Sequence, residues 1–91
     1  MKVQLTPQVE IALRTLGDDD RRWVSAWLDR IKDWETDARI RELSLRLDPA
    51  ENVYVLKTNT NFRIFFKLEQ DRVAVLDIAT KSTIVRSGRV P

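Results

Sequence analysis

The stretch "VYVLKTNTNFRIFFKLEQDRVAVLDIATK", Val53 to Lys81, constrains this chain more than any other feature, because its apolar residues recur at every second position through three successive runs. A period of two sends neighbouring side chains to opposite sides of a pleated strand, so "VYVLKT", "FRIFFKL" and "RVAVLDIA" read as strands with one apolar face each. The short polar connections "NTN" and "QDR" join them as hairpins and predict an antiparallel meander. Register follows from keeping the apolar set on one side. Pairing Thr58 with Phe62 sets Leu56 opposite Ile64 and Tyr54 opposite Phe66 on the core face; Val55 then meets Phe65, and Lys57 meets Arg63, on the other face. Pairing Glu69 with Val73 sets Phe66 opposite Leu76, Ile64 opposite Ile78, Asp77 beside Phe65, Ala79 beside Arg63 and Lys81 across from Asn61.

The non-core face of this register gathers Lys57, Arg63, Lys67 and Lys81, with one acid, Asp77, nearby. Like charges directly across a strand pair destabilise it by up to about 1 kcal/mol. A conflict of that kind is expected where positions serve a site, and a patch of cations on a sheet face suits phosphate groups. The competing reading is two solvated side chains screened by salt, with Asp77 offsetting part of the repulsion.

Upstream, "MKVQL" alternates as a first strand, and Thr6-Pro7 then supplies an N-cap and a first helical residue, with Gly17 as the stop. Val9, Ala12, Leu13 and Leu16 form one stripe of that helix. "DDDRRWVSAWLDRIKDWE" places acids where a helix dipole favours them and then Trp23, Val24, Trp27, Leu28, Ile31 and Trp34 at three-and-four spacing, as a helix packed against a sheet requires. The short turn between the two helices predicts an antiparallel hairpin over residues 6–35. In residues 36–52, "ELSLRL" fits a helix tail or an extra edge strand equally, and "DPAEN" marks a turn.

Composition bounds the chemistry. Ninety-one residues with 43% hydrophobic content predict a single domain with a modest core, helped by any partner that covers apolar surface. Cysteine and histidine are both absent, which excludes disulfides, zinc motifs and Ser-His or Cys-His nucleophiles; no metal or other cofactor is expected. No run approaches the roughly 18 apolar residues of a membrane span, nor does the amino terminus carry a signal-peptide core, so a cytoplasmic location without a membrane partner is expected. The net charge is only +2, but residues 81–91 carry Lys81, Arg86 and Arg89 and no acid, either as a basic arm or as a solvated terminus.

The order of strand, helix hairpin and antiparallel meander, with "FRIFF" followed by an acid-bearing hairpin and "VAVLDI", resembles the RelE/ParE superfamily of toxins from type II toxin-antitoxin modules, whose corresponding strand reads "YRxxY". The resemblance implies an α+β fold with an N-terminal strand (1–5), an antiparallel helix hairpin (6–35), a meander of three to four strands (53–80) and a basic tail (81–91). It also implies a cognate antitoxin as partner. In the RelE branch the target is messenger RNA on the ribosome, cut without metal when a 2′-hydroxyl attacks the adjacent phosphate. Carried over by position, Arg63 holds the phosphate, Lys57 is the base, and Lys81 stands where the pattern has a second arginine. Lys67, Arg86 and Arg89 are further candidate RNA contacts. The family's later tyrosine is missing from the tail, leaving Phe65 as the candidate stacking group. These departures keep a ParE-like inhibitor of DNA gyrase, or a homologue acting only by binding protein, as alternatives. A basic RNA-binding platform unrelated to toxins lacks the paired exposed aromatics such sheets use.

Overall fold

The computed structural model describes residues 1–81. Along the chain run β1 (Lys2–Leu5), α1 (Pro7–Thr15), α2 (Asp18–Ile31), α3 (Ala38–Glu42), β2 (Ser44–Asp48), β3 (Val53–Lys57), β4 (Phe62–Leu68) and β5 (Arg72–Thr80). The five strands form one sheet in the order β1-β5-β4-β3-β2, with β1 parallel to β5 and every other neighbour antiparallel. The expected meander is therefore present and extends to four strands, because "SLRLD" is an edge strand preceded by a short helix. Residues 36–52 thus contain both of the elements between which their pattern could not choose.

Local chemistry sets the helix ends. The Thr6 hydroxyl accepts from the Val9 amide at 3.3 Å, and Pro7 opens α1 as anticipated. Gly17 does not act as a left-handed stop. Its φ of −64° is extended backbone, and it is the N-cap of α2. Closure of α1 comes instead from Arg21, whose guanidinium donates to the carbonyls of Leu13 (3.0 Å), Arg14 (3.4 Å) and Leu16 (2.8 Å). A cation on the carbonyl end of a helix also favours its dipole.

Asp37 caps α3. One carboxylate oxygen accepts from the Arg39 and Ile40 amides at 3.0 and 3.3 Å, and the other accepts from Arg30 at 3.2 Å. Burial works against the charge, but the Ile40 amide, the Arg30 guanidinium and the Arg39 amide outweigh it and hold the carboxyl below its ordinary value. A carboxyl depressed in this way stabilises the fold above its unfolded value, and the contribution is lost as pH falls through the folded one. Asparagine caps as well as aspartate but carries no charge. Asp37→Asn is expected to show a smaller loss of stability between neutral pH and about pH 3. Urea denaturation at the two pH values measures it, and an unchanged difference would show that the carboxylate charge contributes nothing.

The core lies between the helices and one face of the sheet. Val9 from α1, Val24, Trp27, Leu28 and Ile31 from α2, and Ile40 from α3 meet Leu56, Phe62, Ile64, Phe66, Val73 and Val75. Trp34 joins from just beyond α2, with its ring centroid 5.0 Å from Tyr54 and 5.5 Å from Phe66; these last two stack at 5.4 Å. The expected stripe on α2 holds except at Trp23, which is 57% exposed. At about 100° per residue, position 23 lies about a quarter-turn from the middle of the buried stripe of Val24, Trp27, Leu28 and Ile31, at its edge.

The register of β3 against β4 is as read from the sequence: Tyr54 pairs with Phe66, Val55 with Phe65, Leu56 with Ile64 and Lys57 with Arg63. Between β4 and β5 the expected pairs hold at Arg63–Ala79, Ile64–Ile78 and Phe65–Asp77 but not nearer the turn, where Phe66 pairs with Val75, and Val73 with Leu68 rather than Glu69. The turn is one residue shorter than expected, closed by the Glu69 amide on the Arg72 carbonyl at 2.9 Å, and the spare residue, Leu76, forms a bulge. The shift brings Val73 and Val75 into the core, both fully buried, where the unbulged register would have placed Ala74 and Leu76. Thr6 fastens the bulge from the end of β1, its amide donating to the Val75 carbonyl at 3.3 Å and its hydroxyl to Leu76 at 3.5 Å.

Among the described residues no helix is long and apolar enough to cross a membrane.

Candidate active site on the second face of the sheet

The buried cluster occupies one side of β4, so alternation presents Arg63, Phe65 and Lys67 on the other. Lys57 stands directly opposite Arg63 on β3, and Ala79 flanks it on β5. The two cations thus emerge from paired strands on the side away from the tryptophan-bearing helix. An apolar stripe continues from them, in which Leu45, Val55 and Phe65 are register neighbours across β2, β3 and β4. Val55 is fully buried there, while Leu45 is 41% exposed.

The cations are held differently. Lys57 is exposed and makes no ion pair or side-chain hydrogen bond among the described residues. Arg63 is half-buried, and its Nη1 donates to the carbonyls of Thr58 (3.3 Å), Thr60 (3.1 Å) and Phe62 (3.0 Å). Lys67 sits at the far end of the strand and is paired with Glu51 at 3.1 Å, so its charge is already matched. That acid was missed because it lies in the "DPAEN" turn, remote in sequence and brought alongside β4 only by the pairing of β3. Asp77 faces Phe65, yet its carboxylate accepts from the Ile78 amide at 2.8 Å and from Gln8 at 3.5 Å, and it makes no ion pair with Lys57 or Arg63. Lys81 is placed as expected, its amide donating to the Asn61 carbonyl at 2.8 Å. Phe65 is half-buried between Val55 and Asp77 in register, which leaves only part of its ring for stacking. Arg86 and Arg89 lie outside the described residues.

Sequence reasoning also passed over the residues of the "TNTN" turn. Thr58 is only 7% exposed. Its hydroxyl donates to the Phe62 carbonyl at 2.7 Å and accepts from the Thr60 amide at 3.2 Å; it also lies 2.7 Å from the Thr60 hydroxyl, which in turn accepts from the Phe62 amide at 3.1 Å. Alternating threonines in a hairpin turn were the available signal, since short hydroxyl side chains bond their own backbone in turns.

No family model and no curated protein sequence matches this chain. Solved structures do. The chain resembles the Escherichia coli RelBE toxin-antitoxin complex at 20% identity and a TM-score of 0.65, over 87% of this chain and 94% of that one. It resembles the archaeal RelE-RelB complex from Pyrococcus horikoshii OT3 at 17% and 0.67, over 88% and 93%. Against the isolated E. coli RelE toxin the values are 19% and 0.64, over 94% and 96%. At identities this low the likeness is one of fold: the chain has the fold of the RelE toxins.

Proposed function

We propose that the protein is the toxin of a toxin-antitoxin module and a ribosome-dependent messenger-RNA endoribonuclease of the RelE kind. The juxtaposition of Lys57 and Arg63 on the face of the sheet opposite α1, α2 and α3 supports this reading most directly, because it offers a lysine with no partner among the described residues and a fixed guanidinium to one phosphodiester. In the step proposed, a bond forms from the RNA 2′-oxygen to phosphorus as the bond to the 5′-oxygen breaks. Lys57, in its deprotonated amine form, takes the 2′-hydroxyl proton, Arg63 and Lys81 bind the phosphate as it gains charge, and a water molecule gives a proton to the departing 5′-oxygen. The chain's own groups carry the charge and the first proton.

A cognate antitoxin is the proposed protein partner. An extended segment with apolar and acidic side chains fits the same face, apolar groups meeting Leu45 and Phe65 and acids meeting Lys57, and it would order as it binds. The absence of the family's second arginine and later tyrosine favours a second reading in which the fold inhibits by binding protein, DNA gyrase being the target in a ParE-like case.

Induced expression followed by mapping of messenger-RNA ends separates the two. Cuts inside codons of translated messages are expected. Growth arrest with intact transcripts and a DNA-damage response would replace the ribonuclease reading with the second.

A further inference from the structure

Three carbonyls hold Arg63 Nη1, and they belong to Thr58, Thr60 and Phe62, the same three residues tied together by the threonine hydroxyls. The proton bookkeeping closes without ambiguity. The Thr58 hydroxyl spends its hydrogen on the Phe62 carbonyl, so in the 2.7 Å contact between the hydroxyls Thr60 must be the donor, and the Thr60 oxygen remains free to accept from the Phe62 amide. Thr58 is the buried node of this network, bonded on both sides of the turn.

A guanidinium is planar and has five N–H groups in fixed directions. Both hydrogens of Nη1 are consumed by the turn, and no other group among the described residues bonds Nε or Nη2. Fixing one nitrogen of a rigid plane fixes the other edge.

We propose that Thr58 is a positioning residue. Through the turn carbonyls it mounts Arg63 so that the Nε–Nη2 edge is presented, already oriented, as a two-pronged donor to a phosphodiester. A side chain held in this way loses little rotational freedom when the anion arrives, and its paired N–H groups match two phosphate oxygens. The part of this that concerns the anion rests on the phosphodiester reading above; the mount itself does not.

The test uses the full chain, with a short 2′-O-methyl oligoribonucleotide as probe. The probe lacks the nucleophile and so reports binding without cleavage. Thr58→Val removes the hydroxyl at nearly constant volume, and Thr58→Ser keeps it. Loss of one oriented charge-assisted contact is expected to weaken binding by Thr58→Val about tenfold, with Thr58→Ser restoring it. In nitrogen NMR of the free protein, rotation about the Arg63 Cζ–Nη1 bond is expected to be slow in the parent and in Thr58→Ser but fast in Thr58→Val. The Arg63 Nε–Hε resonance should move as the probe saturates. Parent-like affinity together with parent-like rotation in a folded Thr58→Val would overturn the mount. Probe that saturates the protein without moving that resonance would overturn the presented edge. If the folded parent binds no probe at all, the presented edge fails as a site for phosphodiester in the free protein, while the rotation measurement still decides the mount and transcript-end mapping still decides the ribosome-dependent reading.

Discussion

Lys57→Ala is expected to reduce transcript cleavage and growth arrest by about a hundredfold or more, the usual contribution of a proton-transfer group, while leaving the melting temperature unchanged or slightly raised. The fold has little to lose at this position. Lys57 is exposed, makes no ion pair or side-chain hydrogen bond among the described residues, and lies directly opposite the positive charge of Arg63. Removing it relieves a like-charge pair worth at most about 1 kcal/mol. Arg63→Ala is the less informative variant, because the same substitution strips the β3–β4 turn of a guanidinium bonded to three carbonyls. Its effects on chemistry and on local order would arrive together. Growth curves, transcript-end counts and thermal melts on Lys57→Ala separate them. A well-folded variant that arrests growth as strongly as the parent would remove Lys57 from the mechanism.

The largest effect on stability is expected from Phe66→Ala. Phe66 is fully buried in the central strand, stacked on Tyr54 and met edge-on by Trp34, with core residues from the helices above it. Truncating such a ring costs about 3 to 5 kcal/mol, combining lost transfer energy with a cavity that its neighbours cannot fill. Set against a total of about 5 to 15 kcal/mol for a domain, that leaves the variant close to unfolding at physiological temperature. Chemical denaturation should show the midpoint collapse. Trp23→Ala is the control: the ring is larger, but it is 57% exposed at the flank of α2, and the change should fall within about 0.5 kcal/mol. Equal losses in the two variants would mean that the core does not centre on Phe66.

The two variants also trace what could be read in advance. The β3–β4 register was legible pair by pair, because a one-residue slip would have turned Tyr54, Leu56, Ile64 and Phe66 out of the core together. The Lys57–Arg63 juxtaposition followed from it. The first half of β5, next to the turn, was not legible: "RVAVLDIA" alternates well in either frame, and only the competition between two valines and an alanine-leucine pair for a place under the helices selected the bulge at Leu76. Trp23 was misplaced because spacing along a helix does not say how wide a stripe the sheet will cover.

By itself, the sequence determined the element types outside residues 36–52, the side of β4 that carries cations and the absence of histidine and cysteine from any chemistry. Those follow from periodicity and composition, which are local or additive. Tertiary structure decided how each cation is held: Lys67 paired with Glu51 from another turn, Arg63 pinned by the backbone of its own hairpin, and Lys57 without a partner among the described residues. Hydrogen bonds and ion pairs act over about 3 Å between groups separated in the chain, so no one-dimensional pattern contains them until the strands are paired.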